Sequence, residues 1–361
     1  SGSRPPHDRV LEEGTYAMTV TGSRIVALAV AALSLAACAT AAPPAPGPAT
    51  TAAPAKPRPR PAAYQSEDFI VTFAQPGDTP ETLAARYLGG ADRAWMIEDY
   101  TGLRAFAPGQ EVVIPRRPWN PAGVTPGGYQ IVPILTYHNL APQAKGRLVL
   151  AAASFREQMQ YLKTNGYRVV SLADFVEFTR LNRQLPQRAV VLTFDDGYHA
   201  FKDHAYPVLK ELGFSATLFI YTDWVGAGRG ALSWNDLREL AAEGFDIQAH
   251  SKTHADLRRA AGETEAQYAR RMHAELEQPQ ELFTRHLGRR SQVLAYPYGR
   301  WEEGLLPKVK EYGYIAAFSV RRQGNGSFVR PLAAHRSQIY SEMTLDDFVK
   351  NLNVFQEEQL R

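Results

Sequence analysis

The feature that most constrains the fold of this chain is an alternation of short apolar segments with helix-patterned segments, which begins near residue 129. Residues 189–194 (AVVLTF) and 245–249 (FDIQA) are typical of buried strands, whereas residues 206–212 and 234–242 have the pattern of helices. Repeated strand–helix units favour a mostly parallel sheet, and about seven of them can close into an irregular barrel. We therefore predict an α/β fold built on an irregular (β/α)7 barrel.

Two polar clusters follow strands of this predicted sheet. The sequence TFDDG contains Asp195 and Asp196, and the sequence HSKTH begins at His250 and ends at His254. Because ligands gather at the C-terminal ends of the strands in such barrels, we expect these four side chains to lie close together. One Asp and two His form a plausible three-ligand site for a divalent metal, with coordination positions left open for water.

Each cluster also has a simpler interpretation. An Asp-Asp pair at the end of a strand is often a helix N-cap with a solvated neighbour. Two His residues four positions apart can lie along one helix as a satisfied pair. The HExxH pattern of zinc proteases is excluded, because Ser251 occupies the position of its glutamate.

Two further motifs make a family recognisable. With residues 296–299 (YPYG) and 133–138 (PILTYH), the two clusters resemble the polysaccharide deacetylases of the NodB-homology group, carbohydrate esterase family 4. The resemblance covers about residues 129–340. It implies a NodB-like barrel and an enzyme that removes N-acetyl groups from a polysaccharide.

The resemblance also implies roles for the clustered residues. Asp195 would be the general base, a role that contributes about 10²–10⁴-fold to such reactions. A divalent metal, most often zinc in the family, would lower the pKa of its water towards ~7 and polarise the acetamide carbonyl. The metal ligands would be Asp196, His250 and His254.

The same comparison implies the substrate contacts and the general acid. Pro297 and Tyr298 would line the acetyl pocket, and a residue near Tyr298 would supply a backbone N–H for the oxyanion. A His on the last strand is expected to protonate the leaving amine. His335 is the best candidate, although Arg336 also matches a family arginine near this point. His138 is a second candidate for the acid and an expected substrate contact.

The sequence departs from the family pattern at two places. The third motif usually begins with an Arg that orients the base aspartate, but this chain has Ala295 there. Another cation must therefore orient Asp195, or its pKa is less finely tuned. The Asp-Trp signature of the fourth motif is absent around Phe318 and Ser319. Related deacetylases of exopolysaccharides share the AYPYG form, so we do not predict inactivation.

The N-terminal region is interpreted as an upstream segment and signal peptide over residues 1–37. The apolar run 25–37 is too short to span a bilayer and has the length of a signal-peptide core. LAAC, which ends at Cys38, resembles the bacterial lipobox. The alternative is an ordinary signal peptide with an incidental Cys. With Ala39 next, the lipoprotein interpretation predicts an exported, lipid-anchored protein on the periplasmic face of the outer membrane.

Four further segments follow. Residues 38–66 form a Pro/Ala-rich tether, residues 67–117 a small domain, residues 118–128 a linker and residues 129–361 the deacetylase domain. Within the last segment, we predict a long helix over residues 267–286 and a final helix over residues 344–356.

The small domain has the predicted order strand, helix, helix, strand. Residues 76–79 (PGDT) and 108–110 (PGQ) resemble the opening and closing signatures of a LysM module. The resemblance implies binding to a glycan that contains N-acetylglucosamine, such as peptidoglycan. A structural spacer that no longer binds sugar is the alternative.

Composition limits the other classes of function. The net charge is +3 and the basic residues are scattered, so nucleic acid is not indicated as a partner. A single cysteine excludes a disulfide framework and a cysteine zinc cluster. We predict a metal-dependent deacetylase of an N-acetylhexosamine polysaccharide, either exopolysaccharide or peptidoglycan. The alternatives are an inactive glycan-binding lipoprotein and an O-acetyl esterase.

Overall fold

The computed structural model describes residues 63–359, which belong to one compact unit that covers residues 60–361. The predicted signal peptide, Cys38 and most of the predicted tether lie outside the described residues. Within residues 63–359, no helix combines the length and the apolar composition needed to cross a bilayer.

The described chain begins with a three-stranded antiparallel sheet that packs against two helices, which we call the small module. Its elements are β1 (Ala63–Gln65), β2 (Phe69–Phe73), α1 (Pro80–Tyr87), α2 (Ala94–Thr101) and β3 (Glu111–Pro115). The predicted order of strand, helix, helix and strand is confirmed. The end of the predicted tether is not free, because β1 pairs with β2.

Local capping explains where α1 begins. The Thr79 hydroxyl accepts a hydrogen bond from the backbone N–H of Thr82, and the Thr82 hydroxyl accepts one from the backbone N–H of Thr79. Pro80 occupies the first turn, where its missing N–H costs nothing. The buried side chains of both helices then meet the sheet in a core that includes Ile70, Leu83, Ile97, Val112 and Ile114.

The remaining strands and helices form the larger part of the molecule, which we call the barrel. In chain order its strands are β4 (Val124–Thr125), β5 (Gly128–Gln130), β6 (Ile134–Tyr137), β7 (Asn139–Ala141), β8 (Val149–Ala151), β9 (Arg168–Val169), β10 (Ala189–Asp195), β11 (Thr217–Ile220), β12 (Asp246–Ala249), β13 (Val293–Ala295), β14 (Ala316–Phe318), β15 (Ser337–Gln338) and β16 (Phe355–Glu357). Its helices are α3 (Ala152–Thr164), α4 (Leu172–Thr179), α5 (Tyr206–Leu212), α6 (Trp234–Ala242), α7 (Glu265–Met272), α8 (Gln278–Leu287), α9 (Leu306–Glu311) and α10 (Leu345–Val349).

The barrel is organised around one parallel sheet with the strand order β14-β13-β12-β11-β10-β6-β15, and β9 also pairs with β10. The sheet curls, and a parallel bridge between Phe318 and Ala334 joins its two edges. Every residue of β10 is buried. A strand covered on both faces has a nearly continuous apolar sequence, which is why residues 189–194 are recognisable as a strand from the sequence. The predicted parallel α/β architecture is confirmed.

One helix prediction is refined and another needs correction. The predicted helix over 267–286 is confirmed as one unbroken helical run, in which α7 and α8 are joined by a π turn over His273–Glu277. Pro279 at the start of α8 has no N–H to donate and its ring crowds the carbonyl of the preceding turn, which the wider π turn accommodates. The predicted helix over 344–356 ends at Val349, because Phe355–Glu357 pairs with β5 instead.

Candidate metal and hydrolase site

The chemistry-bearing residues lie where the parallel strands end. Asp195 is the last residue of β10 and Asp196 follows it, while His250 follows β12 directly. Within residues 63–359, five non-glycine residues have positive φ, and four of them belong to these loops: Asp196, Ser251, His254 and Tyr298. Such conformations cost roughly 1–3 kcal/mol each and persist where the surrounding structure enforces them. Their concentration here marks these loops as a functional site.

Three side chains form a candidate metal site. The ligand atoms of Asp196, His250 and His254 all lie within 4.8 Å of one another. Asp196 Oδ1 lies 3.6 Å from His250 Nε2 and 3.5 Å from His254 Nε2. This predicted trio is therefore brought together by the structure.

The carboxylate of Asp196 fits a cation. Its Oδ1 is buried and has no hydrogen-bond partner among the described residues. Burial, and then the charge of Asp195, raise the pKa of Asp196 to about 7. A buried oxygen with no donor, beside two imidazole nitrogens, is the donor set that zinc and similar divalent ions take.

The ring of His250 is held in the tautomer that a metal requires. Its Nδ1 donates a hydrogen bond of 2.7 Å to the backbone carbonyl of Ala295, which leaves Nε2 to face Asp196. Burial lowers the pKa of His250 to about 3, so the ring is neutral near pH 7. The position at which the resemblance implied an arginine therefore contributes a carbonyl oxygen to the site.

The loop that carries both histidines is anchored by Glu275, a buried residue of the π turn. Its carboxylate accepts hydrogen bonds from the backbone N–H groups of Lys252 and Thr253, at 3.1 and 3.0 Å, and from the Thr253 hydroxyl at 2.6 Å. The N–H of His254 donates to the Ser251 hydroxyl. No sequence signal marked Glu275, since its role depends on the π turn.

Asp195 forms a buried ion pair with Arg336. Two guanidinium nitrogens donate to the two carboxylate oxygens at 2.7 and 2.8 Å, with Arg336 0% and Asp195 2% exposed. Burial acts to raise the pKa of Asp195, but the charges of Arg336 and His250 outweigh it and lower the pKa to about 2. Arg336 is thus the cation that orients the expected base, in place of the arginine missing at Ala295.

The structure does not bring His335 to this cluster. Its backbone is fixed by Asn325, which accepts from the His335 N–H at 2.8 Å and donates to its carbonyl at 2.9 Å. Arg336 points to Asp195, and successive side chains of an extended segment point to opposite sides. His335 accordingly lines a different cavity. It is not placed to protonate a leaving amine, and the expectation is corrected.

His138 lies in the cavity that contains the metal site. The cavity has a volume of about 270 Å³. Its lining is His138, Leu148, Asp195, Asp196, His250, His254, Tyr298, Gly299, Val320 and Gln338. His138 Nδ1 is buried and has no partner among the described residues. Burial lowers the pKa of His138, while the charge of Asp195 acts to raise it.

The turn Pro297–Gly299 forms one wall of this cavity. Tyr298 is 58% exposed, and its ring centroid lies 4.6 Å from that of His254. Gly299 has a φ of +66°, and a Cβ there would lie 2.5 Å from the backbone nitrogen of Val320. Pro297 is buried in the turn and does not line the cavity, so only Tyr298 of the predicted pair reaches it. Sequence reasoning missed four lining residues: Leu148, Gly299, Val320 and Gln338.

Comparisons with known proteins agree with this geometry. A family model described as polysaccharide deacetylase matches residues 182–317. The chain is 23% identical over 292 residues to the poly-β-1,6-N-acetyl-D-glucosamine N-deacetylase of Escherichia coli K12, covering 70% of this chain and 42% of that protein. It is 26% identical over 183 residues to the protein of the same name from Staphylococcus aureus MSSA476, covering 48% of this chain and 62% of that protein. The chain thus spans less than two thirds of the length of either relative.

A solved structure shows the same fold. The Streptococcus pyogenes deacetylase PplD, in complex with acetate, superposes with a TM-score of 0.56 at 23% identity. The match covers 63% of this chain and 99% of that one. At this identity the likeness establishes the fold alone. Taken together, the two comparisons show that the barrel has the NodB-like fold and that residues 182–317 are similar to polysaccharide deacetylases.

Proposed function

We propose that this protein hydrolyses N-acetyl groups of a polysaccharide of N-acetylhexosamine, using a divalent metal, which we assign as zinc. The observation that carries the proposal is the convergence of Asp196, His250 and His254 within 4.8 Å, beside the second carboxylate of Asp195. The named relatives are N-deacetylases of poly-β-1,6-N-acetyl-D-glucosamine, which supports an exopolysaccharide as the substrate.

Each side chain of the site has a distinct task. When bound by Asp196, His250 and His254, a divalent ion supplies Lewis acidity to the acetamide carbonyl and to the attacking water. Asp195 is held as a carboxylate by Arg336 and accepts the proton of that water. The neighbouring Ala295 carbonyl keeps His250 Nε2 free for the metal.

The leaving amine needs a proton, and His138 replaces His335 as our candidate donor. His138 lines the same cavity as Asp195, and its Nδ1 is buried without a protein partner. Burial lowers the pKa of the His138 ring, and the charge of Asp195 opposes that shift. Tyr298, which is exposed beside His254, would contact the sugar that carries the acetyl group.

The remaining parts of the chain are proposed to locate the enzyme. The small module resembles a LysM module and would hold the protein on N-acetylglucosamine-containing glycan. The proposed division places this module at residues 67–117 and the deacetylase domain at residues 129–361. Lipid on Cys38 would anchor the chain to the bacterial envelope, at the periplasmic face of the outer membrane.

The test is acetate release from three substrates: poly-β-1,6-N-acetylglucosamine oligomers, chitin oligomers and peptidoglycan. We expect the wild-type protein to release acetate and to prefer the first substrate. Asp195→Asn should lower kcat about 10²–10⁴-fold, because it removes the base while keeping its shape. Acetate release that survives Asp195→Asn would refute the assignment of the base, and no acetate from any substrate would refute the activity.

A further inference from the structure

A second cavity lies on the other side of β15 from the hydrolase site, and we call it the β15 cavity. Its volume is about 410 Å³. His335 and Ser337 line it, whereas Arg336 and Gln338 face the hydrolase site, as the alternation of an extended segment requires. The described residues that line it include the cations Arg322, Arg330 and Lys350 but no Asp or Glu.

Arg322 carries a charge that no carboxylate neutralises among the described residues. Arg330 pairs with Glu303 and Lys350 pairs with Asp347, both at 2.7 Å, but the guanidinium of Arg322 meets only neutral acceptors. It donates to the Asn351 side-chain oxygen and, at 2.9 Å, to the backbone carbonyl of Gln338. An arginine fixed by neutral groups keeps its remaining donors free for an anion.

The back wall of the cavity offers an unused polar atom. His335 Nδ1 is buried and has no hydrogen-bond partner among the described residues. The backbone of His335 cannot shift to relieve this, because Asn325 bonds to both its N–H and its carbonyl. A buried polar atom is usually paired, so one left over at the wall of a cavity points to a ligand or water.

The rim of the cavity is aromatic. Phe328 is 65% exposed and meets Tyr129 edge to face, with ring centroids 4.8 Å apart. Both residues line the cavity. A large exposed ring beside fixed cations suits a ligand that has an apolar ring face and a negative group.

We propose that the β15 cavity binds an anionic group carried on a sugar, a carboxylate or a phosphate. Arg322 would hold the anion, His335 would donate to it, and the Tyr129–Phe328 pair would contact the sugar ring. The site is separate from the hydrolase cavity, so the proposal does not depend on the catalytic one. A glycan strand bearing acidic sugars could thus be held one strand away from the metal site.

The test uses the full chain and isothermal titration with glucuronic acid, glucose 6-phosphate and inorganic phosphate, with glucose as the neutral probe. We expect the two acidic sugars to bind more tightly than glucose, and their ranking distinguishes carboxylate from phosphate. Binding of inorganic phosphate as tight as that of glucose 6-phosphate would show that the sugar ring contributes nothing and overturn that part of the proposal.

Substitutions locate the binding. Arg322→Gln should weaken the affinity for the acidic sugars about 10- to 100-fold, the range for losing hydrogen bonds to a charged group. Lys350→Gln, at an exposed residue, should weaken the affinity for the acidic sugars by a smaller factor. This variant tests whether the sugars bind in the β15 cavity if Arg322→Gln does not fold. Arg156→Gln, which removes a half-buried arginine of α3 that pairs with Glu211, is the control and should change nothing. The proposal would be overturned if Arg322→Gln and Lys350→Gln both bound the acidic sugars as tightly as the wild-type protein does. It would also be overturned if the wild-type protein showed no preference for the acidic sugars over glucose.

Discussion

His138 lies on the inner wall of the hydrolase cavity, whereas the histidine expected from the family pattern, His335, lies behind β15. A proton donor must come within hydrogen-bond reach of the leaving nitrogen. The position of a histidine is therefore a stricter criterion for this role than its pKa. At the scale of single residues, this difference in placement is the reason why we propose His138 as the acid.

The first prediction concerns this assignment. His138→Gln should lower kcat about 10²–10⁴-fold with little change in KM, because the ring acts on the departing amine. Steady-state acetate release measures both constants. His273→Gln, on the exposed side of the π turn, is the control and should match the wild-type protein. An active His138→Gln together with an inactive His335→Gln would restore the original assignment.

The sequence predicted the three residues of the candidate metal site but not the partner of Asp195. Asp195 and Asp196 are adjacent, and His250 and His254 share one loop, so short motifs were enough to find them. Arg336 reaches Asp195 only because the sheet curls and brings β15 beside β6. A contact between residues so far apart depends on the closure of the fold, which no local pattern records.

At the scale of elements, the π turn and the histidine loop act as one unit. Glu275 accepts three hydrogen bonds from residues 252 and 253, which lie between the two histidines. Groups that fix metal-binding side chains in this way commonly contribute 10–100-fold to metal affinity. The unit therefore sets how well the two imidazoles are positioned.

The second prediction tests that unit. Glu275→Gln should weaken zinc affinity about 10–100-fold, because a neutral amide oxygen replaces the charged acceptor of the two N–H groups and its NH₂ group fits the Thr253 hydroxyl only if that hydroxyl turns to accept. Competition with a chromophoric chelator measures the affinity. Glu281→Gln, an exposed change on α8, should leave it unchanged. A Glu275→Gln protein with wild-type zinc affinity would show that the loop holds its shape unaided.

Elements with strong local signals were predicted closely, and short ones were not. The helix patterns at 206–212 and 234–242 match α5 and α6. Strand β15 has only two residues, too few for a periodic pattern. The final helix was wrong beyond Val349 because pairing with β5 overrides helix propensity near the C-terminus.

At the scale of the whole molecule, polar contacts join the small module to the barrel. Asp99 of α2 accepts a 2.8 Å hydrogen bond from the backbone N–H of Gln187, and Glu98 pairs with Arg168 at 2.8 Å. The side-chain oxygen of Gln184 accepts from the backbone of Trp119 and Asn120. The module is therefore attached to the barrel by specific bonds as well as by the connecting chain.

The third prediction follows from one of these contacts. Burial raises the pKa of Asp99 from its ordinary 3.8 to about 6, against the opposing effect of the Gln187 N–H. The folded state thus binds this proton more tightly than the unfolded chain. The contribution of Asp99 to the free energy of unfolding should rise as the pH is lowered from about 6 towards 3.8 and be lost at higher pH.

Urea unfolding of the wild-type protein and of Asp99→Asn across this pH range measures the effect. The asparagine can still accept from Gln187 but does not titrate, so the difference between the two proteins should depend on pH. Asp92→Asn, at an exposed position of the same module, is the control. Parallel pH profiles for wild type and Asp99→Asn would contradict the prediction.

The alternation of strands and helices was enough to predict the parallel α/β architecture of the barrel. The hydrogen bonds between module and barrel were not predictable. Asp99 and Gln187 belong to different segments, and no sequence pattern indicates how those segments pack together. The placement of His335 behind β15 was likewise invisible until the register of that strand was known.

The most direct test of the account is the metal content of the purified protein, with acetate release measured on the same samples. We expect about one divalent ion per chain in the wild-type protein, loss of activity when a chelator removes it, and recovery with zinc. Asp196→Asn and His254→Gln should each bind far less metal and stay folded by circular dichroism. Full metal content in these variants, or full activity after the metal is stripped, would contradict the account.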